Sequence, residues 1–200
     1  MIFINRRKNN NNNKFSHTTN LTPINLMPII ERSSINSNYI APKPVEEKRV
    51  KEMLWGEPTW FLFHTLAEKV KDEYFDEISS QLFNFIKQIC NNLPCPECAQ
   101  HASQYINGVN FDAIRNKNQL KILLFTFHNT INNRKNYDKF DYTDIDKYGS
   151  AITINIIKNF FYHFGKKHYS VRLDVSGNHR SIILRNFRKW LEEHHYCFEE

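Results

Sequence analysis

Apolar side chains recur at helical spacing in several successive segments of this chain. The clearest stripe consists of Ile78, Leu82, Phe85, Ile86 and Ile89, with polar residues between them. Such a stripe is typical of an amphipathic helix that packs one face on a core. The 200 residues include only 5 glycines but 16 Phe and 9 Tyr, which disfavours an all-β fold and supplies a large core. We therefore predict an all-α fold.

Prolines and glycines between the stripes predict where the helices begin and end. Pro58 suits the first turn of a helix that runs to Val70. The second helix should stop within 91–94, and Gly108 should end a third helix that begins at Pro96. We expect a four-helix bundle plus a short fifth helix, with the third helix over about 96–106, the fourth over about 118–134, and the fifth after Asp144 and before Gly165.

The two ends of the chain differ from this helical part. Residues 1–45 contain an Asn run and many polar residues, and we expect a disordered Asn-rich arm. The domain should then cover 46–165. We predict a C-terminal appendage over 166–200, with a strand-like segment at 168–175, a turn at 176–178 and a helix marked by Ile183, Phe187, Trp190 and Leu191.

Charge and cysteine content limit the class of protein. The formal charge of +6 permits an acidic partner without requiring one, and we expect no nucleic-acid partner. Four cysteines are too few and too clustered for a secreted disulfide scaffold, so a redox or metal pair is favoured. The sequence contains no run of about 18 or more apolar residues, so we expect no membrane-spanning helix. The first residues also lack the apolar stretch of a secretory signal.

Cys95 and Cys98 form a CxxC pair across the predicted start of the third helix. The free amides and dipole of a helix N-terminus lower a cysteine pKa, which suits thiol–disulfide exchange. The alternative is a non-catalytic zinc-binding or nucleic-acid interaction module in which His101 adds a third ligand. No second CxxC supplies a fourth ligand, so the redox interpretation is favoured and we expect no metal site.

Two histidines on apolar helix faces add a second clue. Each of His64 and His128 alone is more often a buried core histidine, and Trp60 is more often core. Trp60 nevertheless lies one turn from His64, while His128 shares its helix with polar Asn129, Asn132 and Arg134. An aromatic plane, several donors and a cation suit a flavin dinucleotide. No Gly-x-Gly-x-x-Gly turn follows a strand, which excludes a Rossmann-type site.

Three segments together resemble the Erv/ALR family of FAD-linked sulfhydryl oxidases. They are Trp55-Gly56-Glu57-Pro58-Thr59-Trp60-Phe61-Leu62-Phe63-His64-Thr65-Leu66-Ala67, Pro94-Cys95-Pro96-Glu97-Cys98 and Phe127-His128-Asn129-Thr130-Ile131-Asn132-Asn133-Arg134. The resemblance implies a helical bundle that holds FAD, oxidises dithiol protein substrates to disulfides and reduces molecular oxygen to hydrogen peroxide. It implies that Cys98 lies against the flavin, that Cys95 takes the substrate's electrons, and that cofactor contacts come from Gly56, Thr59, Trp60, His64, His128, Asn129, Asn132 and Arg134. The tryptophan that stacks on adenine in many relatives is absent after Asp146, and Tyr148 is the candidate substitute.

The resemblance also implies a homodimer through the first two helices. The short core and the additional C-terminal segment resemble the enzymes of large cytoplasmic DNA viruses, which implies a virus factory or virion in the host cytoplasm, with the mitochondrial intermembrane space as the alternative. Many relatives carry a structural disulfide where this chain has Phe125 and Tyr142, and we expect these rings to meet instead. Relatives usually also contain a second cysteine pair that relays electrons from the substrate to the first pair. Cys197 is the candidate shuttle here, whereas Cys90 is more often buried filler.

Overall fold

A computed structural model describes residues 53–166 and 174–199, except for the side chains of 174–177. Most of the described residues are helical, as predicted. The helices are α1 (Gly56–Lys69), α2 (Phe75–Asn91), α3 (Pro96–Asn107), α4 (Lys117–Arg134), α5 (Thr153–Phe164) and α6 (Asp174–Glu193). Short 3-10 helices over Tyr142–Asp144 and Asp146–Ser150 connect α4 to α5. The predicted disordered arm lies outside the described residues, and none of the described helices is both long and apolar enough to cross a bilayer.

Helix α1 lies at the centre of the bundle. It packs against α4, α5 and the segment 146–150, and its residues 62–67 are all buried. A helix buried around its circumference is apolar on more than one face. α1 also buries several polar side chains, and His64 is one of them.

The stripe on α2 is buried as predicted. Ile78, Leu82, Ile86 and Ile89 are each exposed by 2% or less. α2 packs against α3 on one side and α6 on another. The core that these helices share consists of Leu62, Phe63, Leu66, Ala67, Val70, Phe75, Ile78, Leu82, Phe85, Ile86, Ile89, Cys90, Ala102, Ile106, Leu120, Leu124, Phe127, Phe160, Phe164, Ile183, Phe187, Trp190, Cys197 and Phe198.

The C-terminal segment differs from the prediction. Positions 174 and 175 of the expected strand and the expected turn at 176–178 belong to α6, while 168–173 lie outside the described residues. Gly177 of the expected turn lies within this helix. A glycine inside a helix costs only about 1 kcal/mol relative to alanine, and tertiary packing can offset this cost. Phe187 and Trp190 provide that packing, since both rings contact Phe85 of α2. The division into a domain over 46–165 and an appendage over 166–200 stays a prediction, but α6 shares the core of the other helices.

The last described residues attach to the C-terminal end of α1. The Lys71 amide donates to the Cys197 carbonyl at 2.9 Å, and the Glu199 amide donates to the Lys69 carbonyl at 2.7 Å. Val70 and Phe198 form an antiparallel bridge between these bonds. This connection lies at the opposite end of α1 from Met53.

The expected contact between Phe125 and Tyr142 is confirmed. Their ring centroids lie 5.2 Å apart in an edge-to-face arrangement. Such aromatic pairs stabilise by about 0.5–1.5 kcal/mol beyond the area they bury. The pair joins α4 to the 3-10 helix at 142–144.

Candidate functional site

Cys95 and Cys98 are disulfide-bonded at the start of α3, with their Cα atoms 5.1 Å apart. Cys95 is the N-cap residue, and its Sγ accepts a hydrogen bond from the Cys98 amide at 3.2 Å. Pro96 occupies the first turn, where its missing N–H leaves no hydrogen bond unmade. Both cysteines are half-buried. The predicted helix-start geometry of the CxxC pair is therefore confirmed.

Two side chains that sequence reasoning missed contact Cys98. The Lys135 ammonium lies 3.6 Å from Cys98 Sγ and 3.3 Å from Met53 Sδ. Met53 Sδ lies 3.9 Å from Cys98 Sγ. No local pattern marks these contacts, because they join positions that are 37 and 45 residues apart in the chain. We call Met53, Cys95, Cys98 and Lys135 the disulfide site.

A second group of rings lies between α1, α4 and the segment that follows α4. Trp60 and His128 stack with centroids 4.1 Å apart, and His128 stacks on Phe140 at 4.6 Å. His64 stacks on Tyr148 at 4.9 Å. We call Trp60, His64, His128, Phe140 and Tyr148 the ring cluster. Four of the five were predicted site residues that the fold brings together; Phe140 was missed because it lies in an irregular segment without periodicity.

The two histidines of the ring cluster are hydrogen-bonded to each other. His64 Nε2 lies 3.1 Å from His128 Nδ1, and which nitrogen donates depends on the tautomers. Burial, together with the nearby Lys147 charge, lowers the pKa of His64 to about 3. Burial, then the charges of His64 and Lys147, lowers the pKa of His128 to about 2. Both rings are therefore neutral at pH 7.

His128 Nε2 is buried and has no hydrogen-bond partner in the described protein. Buried polar atoms are nearly always satisfied, so such an atom calls for an explanation. A bound polar group would satisfy this nitrogen, and the His128 ring that carries it stacks on Trp60 and on Phe140. The ring cluster thus has the chemistry that a planar cofactor with polar edges requires.

The two predicted asparagines hold the backbone after α4. Asn129 donates to the Phe140 carbonyl at 3.0 Å and accepts from the Phe140 amide at 2.9 Å. Asn132 is buried and donates to the Asp138 carbonyl at 3.1 Å. These bonds fix Phe140 against His128. Part of the polar edge that the sequence suggested for a cofactor therefore serves to position the ring cluster.

Three other predicted residues lie around this group. Thr59 is buried, and its hydroxyl donates to the Trp55 carbonyl at 2.7 Å. Gly56 is the first residue of α1, and a Cβ atom there would meet only open space. Arg134 is exposed and lies 3.9 Å from the Glu97 carboxylate, beside the disulfide site rather than in the ring cluster.

Lys147 adds a cation that the sequence analysis did not select. Its ammonium lies 5.3 Å from the centre of the Phe140 ring and 5.7 Å from that of Tyr148. The Asp144 carboxylate is 3.3 Å away. This position contributes to the lowered pKa values of both histidines and places a positive charge at the edge of the ring cluster.

The other two cysteines lie away from the disulfide site. Cys197 is buried, whereas an electron shuttle needs an accessible thiol. The bridge between Val70 and Phe198 holds this segment against the end of α1. Cys197 lies at the C-terminal end of α1, whereas the disulfide site includes Met53, which lies before the N-terminal end of α1. The 14 residues of α1 separate these ends by about 21 Å. The fold therefore does not bring Cys197 together with Cys95 and Cys98. Cys90 is also buried, as expected, and burial raises the pKa of its thiol.

The alternative zinc site finds no support in the part of the chain that the structure describes. Within residues 53–166 and 174–199, no three His, Cys, Asp or Glu side chains form a group that could hold a metal ion. Cys95 and Cys98 are bonded to each other rather than available as two thiolates.

Comparison with known proteins agrees with these features. The model of the Erv1 / Alr family matches residues 57–149. This range includes the whole ring cluster and every residue of the disulfide site apart from Met53. No solved structure matches the chain significantly.

The similar curated proteins are viral. The chain is 36% identical over 84 residues, 42% of its own length, to a protein assigned as FAD-linked sulfhydryl oxidase 096R of Invertebrate iridescent virus 3. It spans 57% of that relative. The chain is 29% identical over 82 residues to the FAD-linked sulfhydryl oxidase of African swine fever virus. This alignment covers 41% of the chain and 68% of that relative. A third relative, assigned as 347L of Invertebrate iridescent virus 6, is 26% identical over 87 residues, 40% of the chain and 78% of the relative.

Proposed function

We propose that this chain, whose residues 57–149 form an Erv1 / Alr domain, is an FAD-dependent thiol oxidase that forms disulfide bonds in dithiol protein substrates and reduces oxygen to hydrogen peroxide. The observation that carries the proposal is the pairing of a CxxC disulfide at a helix start with a buried ring cluster on the neighbouring helices. α4 links the two, because Lys135 follows His128 by two helical turns, about 10 Å. The names of the viral relatives support the same reaction.

The ring cluster has the residues that would hold FAD. Trp60, His64, His128 and Tyr148 offer aromatic planes, His128 Nε2 offers an unsatisfied polar atom, and Lys147 offers a charge for an anionic group. When bound, FAD supplies the two-electron acceptor that reoxidises the Cys95–Cys98 dithiol and passes the electrons to oxygen.

The cysteines carry the exchange with substrate. A substrate thiolate attacks Cys95, the Cys95–Cys98 bond breaks, and a mixed disulfide with Cys95 forms. The second substrate thiolate then attacks the substrate sulfur of that mixed disulfide and releases Cys95. The substrate is oxidised by two electrons, and Cys95 and Cys98 become a dithiol. Since Cys197 is buried away from this site, direct exchange with Cys95 replaces the expected relay.

The proposed partners are dithiol proteins, oxygen and a second copy of the chain. A dimer through α1 and α2 must use faces other than the Phe85 side of α2, because α6 covers that side. The sequence-based expectation of no nucleic-acid partner stays a prediction.

The absorbance spectrum of the purified full-length protein tests the cofactor assignment. We expect a yellow protein whose cofactor, released by denaturation, is FAD by chromatography. His128→Ala should lower FAD occupancy while the helical circular dichroism is kept, and Tyr162→Ala, at an exposed ring, should retain full occupancy. A colourless protein that contains zinc would instead support the metal-binding alternative.

A further inference from the structure

The two sulfur atoms of the disulfide site have different electrostatic surroundings. Cys95 Sγ accepts a hydrogen bond from the neutral Cys98 amide at 3.2 Å. Cys98 Sγ instead lies 3.6 Å from the positively charged Lys135 ammonium. Hydrogen bonds from an ionised donor are roughly twice as strong as those from a neutral donor. The surroundings therefore stabilise negative charge more on Cys98 than on Cys95.

The backbone at the end of α4 positions Lys135. Its amide donates to the carbonyls of Ile131 and Asn132, each at 3.1 Å. Asn136 then adopts a left-handed conformation with φ 54°, which ends the helix in the manner of a C-terminal cap. A cation at a helix C-terminus is also favoured by the helix dipole. Lys135 is half-buried and its ammonium contacts Met53, so it is held beside the sulfur rather than extended into solvent.

We propose that Lys135 is a catalytic residue that stabilises the Cys98 thiolate and makes Cys98 the leaving group when a substrate attacks the disulfide. The proposal rests on the proposed function. A bond forms between the substrate sulfur and Cys95 Sγ, and the Cys95–Cys98 bond breaks. Its electron pair stays on Cys98 Sγ as a thiolate beside the Lys135 ammonium, and no proton moves. The thiol of lower pKa leaves faster, which directs the attack to Cys95.

The ionisation of Cys98 tests this role without turnover. In full-length Cys95→Ser protein, Cys98 is a free thiol, and the rate of its alkylation by iodoacetamide is followed by peptide mass spectrometry as a function of pH. Mass spectrometry separates Cys98 from the buried Cys90 and Cys197. We expect an apparent pKa below the ordinary value of about 8.5. Adding Lys135→Gln should raise it by about one unit, a roughly tenfold loss of thiolate at neutral pH.

Two matched variants separate charge from structure. Lys135→Arg should keep most of the lowered pKa, because it keeps the positive charge. Lys139→Gln removes an exposed lysine of the next segment and should leave the Cys98 pKa unchanged. Should Lys135→Gln not fold, Lys135→Met keeps the apolar stem beside Met53 and should raise the pKa equally.

An unchanged Cys98 pKa in Lys135→Gln or Lys135→Met would overturn the proposal, as would an ordinary pKa in the Cys95→Ser protein itself. The titration needs neither flavin nor oxygen. A protein that lacks FAD but shows the Lys135-dependent pKa would therefore refute the proposed function alone. A yellow, active protein whose Cys98 pKa is the same with and without the Lys135 charge would refute only the role of Lys135.

Discussion

His64 and His128 are two neutral side chains that the fold buries next to each other. Their pKa values fall to about 3 and about 2, since burial disfavours the imidazolium and a second charge nearby disfavours it further. Both residues were predictable from the sequence because they lie on apolar helix faces. Their hydrogen bond was not predictable, because it joins positions 64 residues apart. Their charge state follows from the packing rather than from the residue type.

The first prediction concerns the stability of the protein in acid. The unfolded chain binds protons on both histidines below about pH 6.5, while the folded chain does not, so the free energy of unfolding falls as the pH falls. Each histidine should contribute a loss of about 2 kcal/mol between pH 7 and pH 5. Urea denaturation at the two pH values measures it. The loss should be smaller by about that amount in His128→Phe, and equal losses in both proteins would contradict the assigned pKa values.

At the scale of single elements, α4 does most to build the site. It carries His128 and Asn129, ends at Arg134 directly before Lys135, and is joined through Phe125 to the segment that follows. The spacing of apolar residues predicted the helix and its inner face. The roles of Asn129 and Asn132 could not be predicted, because their hydrogen bonds go to backbone atoms of an irregular segment that has no sequence period. The residue types indicated polar contacts but not the partners.

The contact between Phe125 and Tyr142 gives the second prediction. We expect a double-mutant cycle of Phe125→Ala and Tyr142→Ala to show a coupling of about 0.5–1.5 kcal/mol in the free energy of unfolding. The expected reason is the edge-to-face contact, since Tyr142 is otherwise largely exposed. Strictly additive effects of the two substitutions would show that the rings do not replace the missing disulfide.

For the whole molecule, the main difference from the sequence-based expectation is the place of α6. Its stripe of Ile183, Phe187 and Trp190 was recognised, but an apolar stripe does not tell which surface it covers. In the structure the Trp190 indole donates to Gln81 at 2.9 Å and packs against Phe85. The C-terminal segment is thus part of the core, and it buries Cys197 instead of exposing it. The bundle and the cysteine pair were predictable, whereas this long-range packing was not.

The third prediction follows from that packing. Trp190→Ala should lower the free energy of unfolding by about 3–5 kcal/mol, because it leaves a large cavity between α2 and α6. Ile182→Ala, at an exposed position of the same helix, should change it by less than about 0.5 kcal/mol. Hydrogen exchange should show faster opening of α1 and α2 in Trp190→Ala. Faster exchange confined to α6 would mean that the C-terminal helix is an independent appendage.

Oxygen uptake with dithiothreitol shows whether the Cys95–Cys98 pair carries out the oxidation. The wild-type protein should consume one oxygen molecule and release one hydrogen peroxide for each dithiol oxidised. Cys98→Ser should reduce the rate to the uncatalysed background while the bound flavin is retained, because no disulfide can form at the site. Cys197→Ala, at a buried thiol about 21 Å away along α1, should keep the wild-type rate with dithiothreitol and with a reduced protein substrate alike. Wild-type turnover in Cys98→Ser would contradict the account.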